Sequence, residues 1–332
     1  MPIKLGNKDI AKIYRGTNEV QSVKMGGVEY FTLVPFEPFL EFETPDNFGT
    51  VLAIAVTDTH VMYGGSGHPS FTVKRWRIET GNIENTISNY GGQIRSIAVT
   101  DTHVWYAGST TQTVRGWVKN TGDIVQTPNY GSTIQSIAVT DTHVWYAGGS
   151  GTVKGWNIET GVIDYETPSC DSWITSIAVT DTHVWYGGAV SQTVKGWNKE
   201  TGVVDYETPS YEGAINSIAV TDTHVWYAGS TTNRVRGWNI ETGVVEYETP
   251  RYGSAQQAAI RAIAVTDTHV WYGGQITRTV RGWNIETGVV EHETPIYGGT
   301  GTVIQAIVAT DTHVWYGGSN TQTVKGYRYA LR

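Results

Sequence analysis

The chain has 332 residues, 39% of them hydrophobic and 16% charged, with 39 Gly, 13 Trp and 19 Tyr, a profile of many short strands joined by tight turns. A formal net charge of -8 excludes a partner held through a nucleic-acid backbone, which needs clustered Lys and Arg to release counterions. One cysteine, Cys170, excludes an intrachain disulfide, and without a long apolar run or an N-terminal apolar stretch with a cleavage site, neither membrane insertion nor a secretion signal is expected.

Residues 1–34 hold short alternating runs at 3–6, 10–16 and 20–31, separated by Gly-containing turns, which predicts a small, locally basic β module. Its pattern, I-x-L-G, then I-x-x-I-Y-x-G, then V-x-x-V-x-x-G-G, resembles the N-terminal segments of bacteriophage tail and fibre virion proteins. That resemblance implies attachment to other virion proteins through residues 1–34. Read without it, the segment is a strand cap or arm on an ordinary domain. Pro35 and Pro38 frame a stiff linker over residues 35–38.

From residue 39 to 332 the chain repeats one unit. Thr-Asp-Thr-His-Val recurs seven times, with Asp at 58, 101, 141, 181, 222, 267 and 311, at intervals of 43, 40, 40, 41, 45 and 44. This period, free of any 3.6-residue pattern, is the sign of a β-propeller blade. In the fifth unit four strands are read at 215–220, 225–229, 235–240 and 244–248, rich in β-branched and aromatic residues. We label them a to d. The a–b turn is Thr-Asp-Thr-His, where short polar side chains bond the backbone, and the c–d turn places Gly where a hairpin needs positive φ.

The last unit stops after strand c, whereas residues 39–45 match the strand-d sequence at 203–209. The predicted fold is therefore all-β: a seven-bladed propeller of four-stranded antiparallel blades, closed by an N-terminal strand that completes the last blade. The strand-c endings Arg75-Trp76, Gly116-Trp117, Gly155-Trp156, Gly196-Trp197, Gly237-Trp238 and Gly282-Trp283, each with Thr-Gly downstream, resemble WD40 repeats and, more loosely, quinoprotein-like propellers. The Gly-His that heads a WD40 repeat is missing, and Asn, Val or Arg replaces the Asp after Trp, which puts the usual WD40 side-chain network in doubt.

Seven copies under one folding constraint can be compared position by position. The a–b and c–d turns are nearly uniform, while the b–c and d–a loops differ from blade to blade and take the insertions. In an up-and-down blade these pairs emerge on opposite faces, so recognition is expected on the variable face. Its candidate contacts are Trp173 together with His68, Gln112, Gln192, Thr232, Asn233, Arg278 and Asn320. Equivalent d–a positions carry Phe48, Tyr90, Tyr130, Tyr211, Tyr252 and Tyr297, aromatic rings that either stack on sugars or cap the core between blades.

Histidines recur at 60, 103, 143, 183, 224, 269 and 313, one per blade and too far apart for a shared metal, so they are read as turn-stabilising. The matching Asp ring should make the uniform face acidic. Cys170 has no evident base, no loop cradles a phosphate, and the channel mouth reads as repetition, so neither catalysis nor a cofactor is expected. The function expected is a non-enzymatic phage virion protein (fibre, tail or head decoration) that binds a host-surface glycan or protein, with homo-oligomerisation and virion assembly in the host cytoplasm. A non-viral lectin-like or protein-interaction propeller is the alternative, and a propeller hydrolase or lyase a further one.

Overall fold

The computed structural model describes residues 38–46, 49–67, 71–87, 90–170, 172–253 and 259–330 in full, and of residues 1–37 only backbone strands. In that leading segment Ile13–Arg15, Asn18–Met25 and Val28–Pro35 form a three-stranded antiparallel meander, and Lys4–Leu5 pairs with Lys8–Asp9. Most of the 35–38 linker, with Phe48 and His68, lies outside the described residues.

The rest is a seven-bladed propeller of four-stranded antiparallel blades. Strand a of successive blades is Val51–Val56, Ile94–Val99, Ile134–Val139, Ile174–Val179, Ile215–Val220, Ile260–Val265 and Ile304–Ala309. Each of these packs against strand a of the next blade, the seventh against the first, so the seven surround a central bore. In blade five strands b, c and d are His224–Gly229, Arg236–Asn239 and Val245–Glu248. In blade seven the outer strand is Phe39–Glu43, which pairs with Val324–Arg328 through Lys325↔Glu43, Gly326↔Phe42, Tyr327↔Leu40 and Arg328↔Phe39. Ring closure by the N-terminal strand is as the sequence predicts.

Each blade is too thin to own a core, so the buried apolar residues gather into seven clusters, every one between two adjacent blades. At the centre of six of the seven blades a strand-b tryptophan lies across a strand-c glycine. Trp226 is paired with Gly237 in register, and a Cβ on Gly237 would stand 2.6 Å from the indole Cζ3. The ring continues onto strand d, stacked on Tyr247 at 5.5 Å and 17°, while Trp283 of the next blade meets both edge-on. The two indoles are buried, and the half-buried Tyr247 covers them on the outer side.

Six blades use the Trp–Gly pair, and the exception supports the rule. Blade one has Met62 opposite Arg75: the flexible thioether vacates the space that the arginine side chain takes, and Arg75 then bonds Glu84 and Asn85. The bulk at the two positions is exchanged across the strand pair.

Gly237→Ala is expected to destabilise the chain by ~1–3 kcal/mol through overlap with the Trp226 ring. Urea denaturation should show that loss, and Trp226→Met in the same chain should recover part of it. Equal midpoints for Gly237→Ala and the parent would show that the ring does not depend on the bare glycine.

Candidate functional site

Each a–b turn is closed by its own residues. In blade five the His224 N–H donates to Thr221 Oγ1 at 3.1 Å and the Thr221 N–H to His224 O at 3.0 Å. The imidazole then ties the turn to the outer strand, with Nδ1 2.7 Å from Thr223 Oγ1 and Nε2 2.9 Å from Glu246 Oε2. Glu84, Asp164, Asp205, Glu291 and Glu41 serve the same role in blades one, three, four, six and seven. Blade two has a strand d one residue shorter, lacks the bulge and the carboxylate, and stacks His103 on Trp105 at 4.9 Å. The chain thus has a side-chain network of its own, built on the a–b turn histidine with the acid supplied by strand d, while strand-c indoles such as those of Trp238 and Trp283 keep a buried N–H without a partner. The Asp of every turn is exposed, so this face is ringed by carboxylates.

Blade six departs in one residue. His292 takes the strand-d position held by Tyr165, Tyr206, Tyr247 and Phe42 elsewhere, and Tyr329 stands over Trp271 at 4.5 Å where Ile240 or Ile285 covers the equivalent ring. The smaller ring makes room for the larger neighbour. Among the described residues His269, Glu291 and His292 are the one group whose metal-capable atoms lie within 4.8 Å of one another. His269 already engages both ring nitrogens, on Thr268 and Glu291, and His292 lies flat on Trp271, so the group is one of packing.

On the opposite face the tyrosines require a correction as ligand contacts. Tyr90, Tyr130, Tyr211, Tyr252 and Tyr297 are at most 3% exposed. Tyr252 shows why: its N–H donates to Asn233 O in blade five, its hydroxyl donates to Thr279 O in blade six at 2.7 Å, and Gly274 N–H donates back to that hydroxyl at 3.1 Å. Each tyrosine staples a d–a loop to the b–c loop of the next blade. Of the two roles the sequence left open, core capping is the one the packing allows.

The acceptor in that staple sits on strained backbone. Gln112, Gln192, Asn233 and Arg278 have φ of 55°, 55°, 58° and 60°, each offering its carbonyl to a tyrosine N–H at 2.7–2.8 Å. Blade three meets the same requirement with Gly151 at φ 76°, which accepts from Cys170 N. Asn233 is buried by this arrangement, Gln112, Thr232 and Arg278 are half-buried, and Gln192 and Asn320 are exposed. Trp173 is 55% exposed, with its carbonyl held by Ala189 N and its loop by Ser172 Oγ, which accepts from Val190 N. Trp173 and the 71% exposed Val190 give this side an apolar spot.

Residues that the sequence reading passed over lie at the centre of the face. Every strand a has a bulge after its first residue, as between Ile94 and Ser96 opposite Gly108 and Ala107. The bulged residue is Leu52, Arg95, Gln135, Thr175, Asn216, Arg261 or Gln305, different in kind from blade to blade inside an otherwise near-constant strand. These side chains reach along the bore wall to the next blade: Arg95 Nη1 donates to Gln135 Oε1 at 3.1 Å, Asn216 Nδ2 to Ile260 O at 2.8 Å, and Thr175 Oγ1 to Ile215 O. The channel mouth is therefore irregular and polar, which corrects the expectation of repetition there. Variation confined to one position of strand a was the available signal.

Two clefts of about 440 and 760 Å³ lie on the uniform face, the larger between blades seven and one, lined by Asp58, Asp311, Arg328 and the Trp315 ring. Most of their lining is the repeat's own turn residues, so they are seams of the architecture. The blade-specific chemistry is on the other side.

Tyr252→Phe should cost ~1–3 kcal/mol, because Gly274 N–H and Thr279 O lose a buried partner, and should leave ligand binding unchanged. Stability should also fall on acidification. Burial holds His103, His269 and His292 below the ordinary imidazole value of 6.5, so below that pH the unfolded chain takes up protons that the fold resists. At lower pH, protonation of Glu246, kept below the carboxylate range by its bond to His224, removes a further contribution. Thermal melts of His292→Tyr with Tyr329→Ile, the pairing used between blades five and six, should show a shallower decline just below pH 6.5. An unchanged profile would remove His292 from the account.

No protein-family model matches the chain, and no curated protein does. Among solved structures it is similar to the computationally designed Ika8 protein, at 21% identity and a TM-score of 0.67 over 88% of this chain and 100% of that one. It is also similar to the WD40 beta propeller domain of Doa1, at 15% identity and a TM-score of 0.72 over 87% of this chain and 96% of that one. At these identities the likeness is one of fold: a WD40-like seven-bladed propeller.

Proposed function

We propose that the chain is a non-enzymatic binding protein of a bacteriophage particle, attached through residues 1–34 as a fibre, tail or head decoration and presenting its variable face to a host-surface glycan or protein. The observation that carries this reading is the placement of the chain's entry into the ring. Phe39 pairs with Arg328, and Arg328 with His313, so strand d of blade seven starts at the uniform face. Whatever precedes residue 39 joins the disk on the side away from the loops that differ between blades. Attachment on one side and display on the other need not compete.

The character of the display face supports recognition over catalysis. Trp173 offers an exposed apolar ring on a face whose loops carry amides and hydroxyls, the pairing that suits a sugar with C–H faces and hydroxyl edges. Cys170 Sγ donates to Ser172 O at 3.2 Å, and the histidines are engaged in their turns at the other face. The virion part of the reading rests on the N-terminal motif resemblance. Many copies on a particle would let each face bind weakly.

Mass spectrometry of purified particles should find the chain in the particle fraction, and its absence there would remove the virion assignment. A glycan array with the full chain should show binding that Trp173→Ala weakens by about tenfold, the scale of one lost stacking contact. Binding that survives both Trp173→Ala and Gln192→Ala would move recognition off this face.

A further inference from the structure

We infer that the mouth of the central bore on the variable face is an oxyanion site, built by Arg95 and Arg261, that selects a sugar bearing a carboxylate or a phosphate. This rests on the display reading above and names its ligand class. Strand a begins immediately after the d–a loop, so its bulged second residue lies at the variable-face end of the bore. Trp173 directly precedes strand a of blade four and stands at the same rim.

Three observations point to an anion. First, the two arginines occupy a position that the fold leaves free: the other blades place Leu52, Gln135, Thr175, Asn216 and Gln305 there with the same strand geometry. Second, the chain is acidic, and many of its arginines elsewhere are matched. Arg75, Arg234, Arg236, Arg281 and Arg328 each meet a carboxylate at 3.1–3.4 Å. Among the described residues neither bore arginine does. Arg95 is held by amide oxygens only, from Gln135 and Gln93, both at 3.1 Å, and its Nε is buried without a partner. Arg261 is exposed at the rim. Third, along the bore the seven turn aspartates lie beyond the uniform-face end of strand a and the two arginines at its other end, so within the bore the cationic groups gather at the variable mouth, while the d–a loops of that face also carry Asp46 and Glu212.

Neutral acceptors aim the Arg95 guanidinium without cancelling its charge. Burial holds it below the ordinary arginine value, in keeping with contacts that are amide oxygens and not carboxylates. A planar fork preset in this way suits two oxygens of a carboxylate or phosphate.

Isothermal titration of the full chain with glucuronic acid, glucose 6-phosphate and glucose tests the inference. At least one acidic sugar should bind about tenfold more tightly than glucose, with affinity that falls as salt rises, and the tighter of the two identifies the oxyanion. Arg95→Gln and Arg261→Gln, separately and together, should reduce acidic-sugar binding to the glucose level while the melting temperature stays within a few degrees. Arg261→Gln alters an exposed side chain and keeps the test valid if Arg95→Gln disturbs the bore. Equal affinity for the three sugars, silence of all three, or acidic-sugar binding that survives both substitutions would overturn the oxyanion site. A neutral glycan bound through Trp173 would leave the display reading standing without it, whereas a silent glycan array as well would remove both.

Discussion

The ring depends on one contact repeated around it: a strand-b tryptophan laid over a strand-c glycine. A side chain at the glycine would hold the indole off the sheet and break the stack that runs from Trp226 through Tyr247 to the edge of Trp283 in the next blade. The stack buries large rings without giving each blade a core of its own, so a blade is stable only between its neighbours. It also leaves indole N–H groups such as those of Trp226 and Trp283 buried without a hydrogen-bond partner. Ring burial must outweigh that loss.

This dependence explains why the two ends of the disk differ. The a–b turn must hold its imidazole against the outer-strand carboxylate and the tryptophan at once, and a change in Thr221, Thr223 or His224 would disturb all three. The b–c and d–a loops meet a lighter requirement: a carbonyl presented in left-handed backbone and, in most blades, a tyrosine to receive it. Glutamine, asparagine, arginine and glycine all satisfy the first condition. Freedom to vary is a property of the packing, and it places the variable chemistry around the bore mouth and the Trp173 loop.

The repeat period, the four strands of each blade, the hairpin turns and the closure strand at residues 39–45 were legible in the amino-acid sequence, because each is a local pattern that seven copies display side by side. The His292 and Tyr329 exchange was not, since the two residues meet only when blade seven docks on blade six. The Met62 and Arg75 exchange is visible along the chain, but its meaning depends on strand register.

The candidate site divides in the same way. Sequence alone separated a uniform from a variable face and singled out Trp173, because loop composition is a local property and loops follow strand order. It could not tell which aromatic rings of the variable loops face water: the tyrosines are buried because the next blade supplies both partners of each hydroxyl, a contact made between two adjoining blades. Nor could it assign Arg95 and Arg261 to the bore. Their direction is set by a bulge that exists only once strand a has paired with strand b, and ring closure then brings side chains from distant repeats to one mouth.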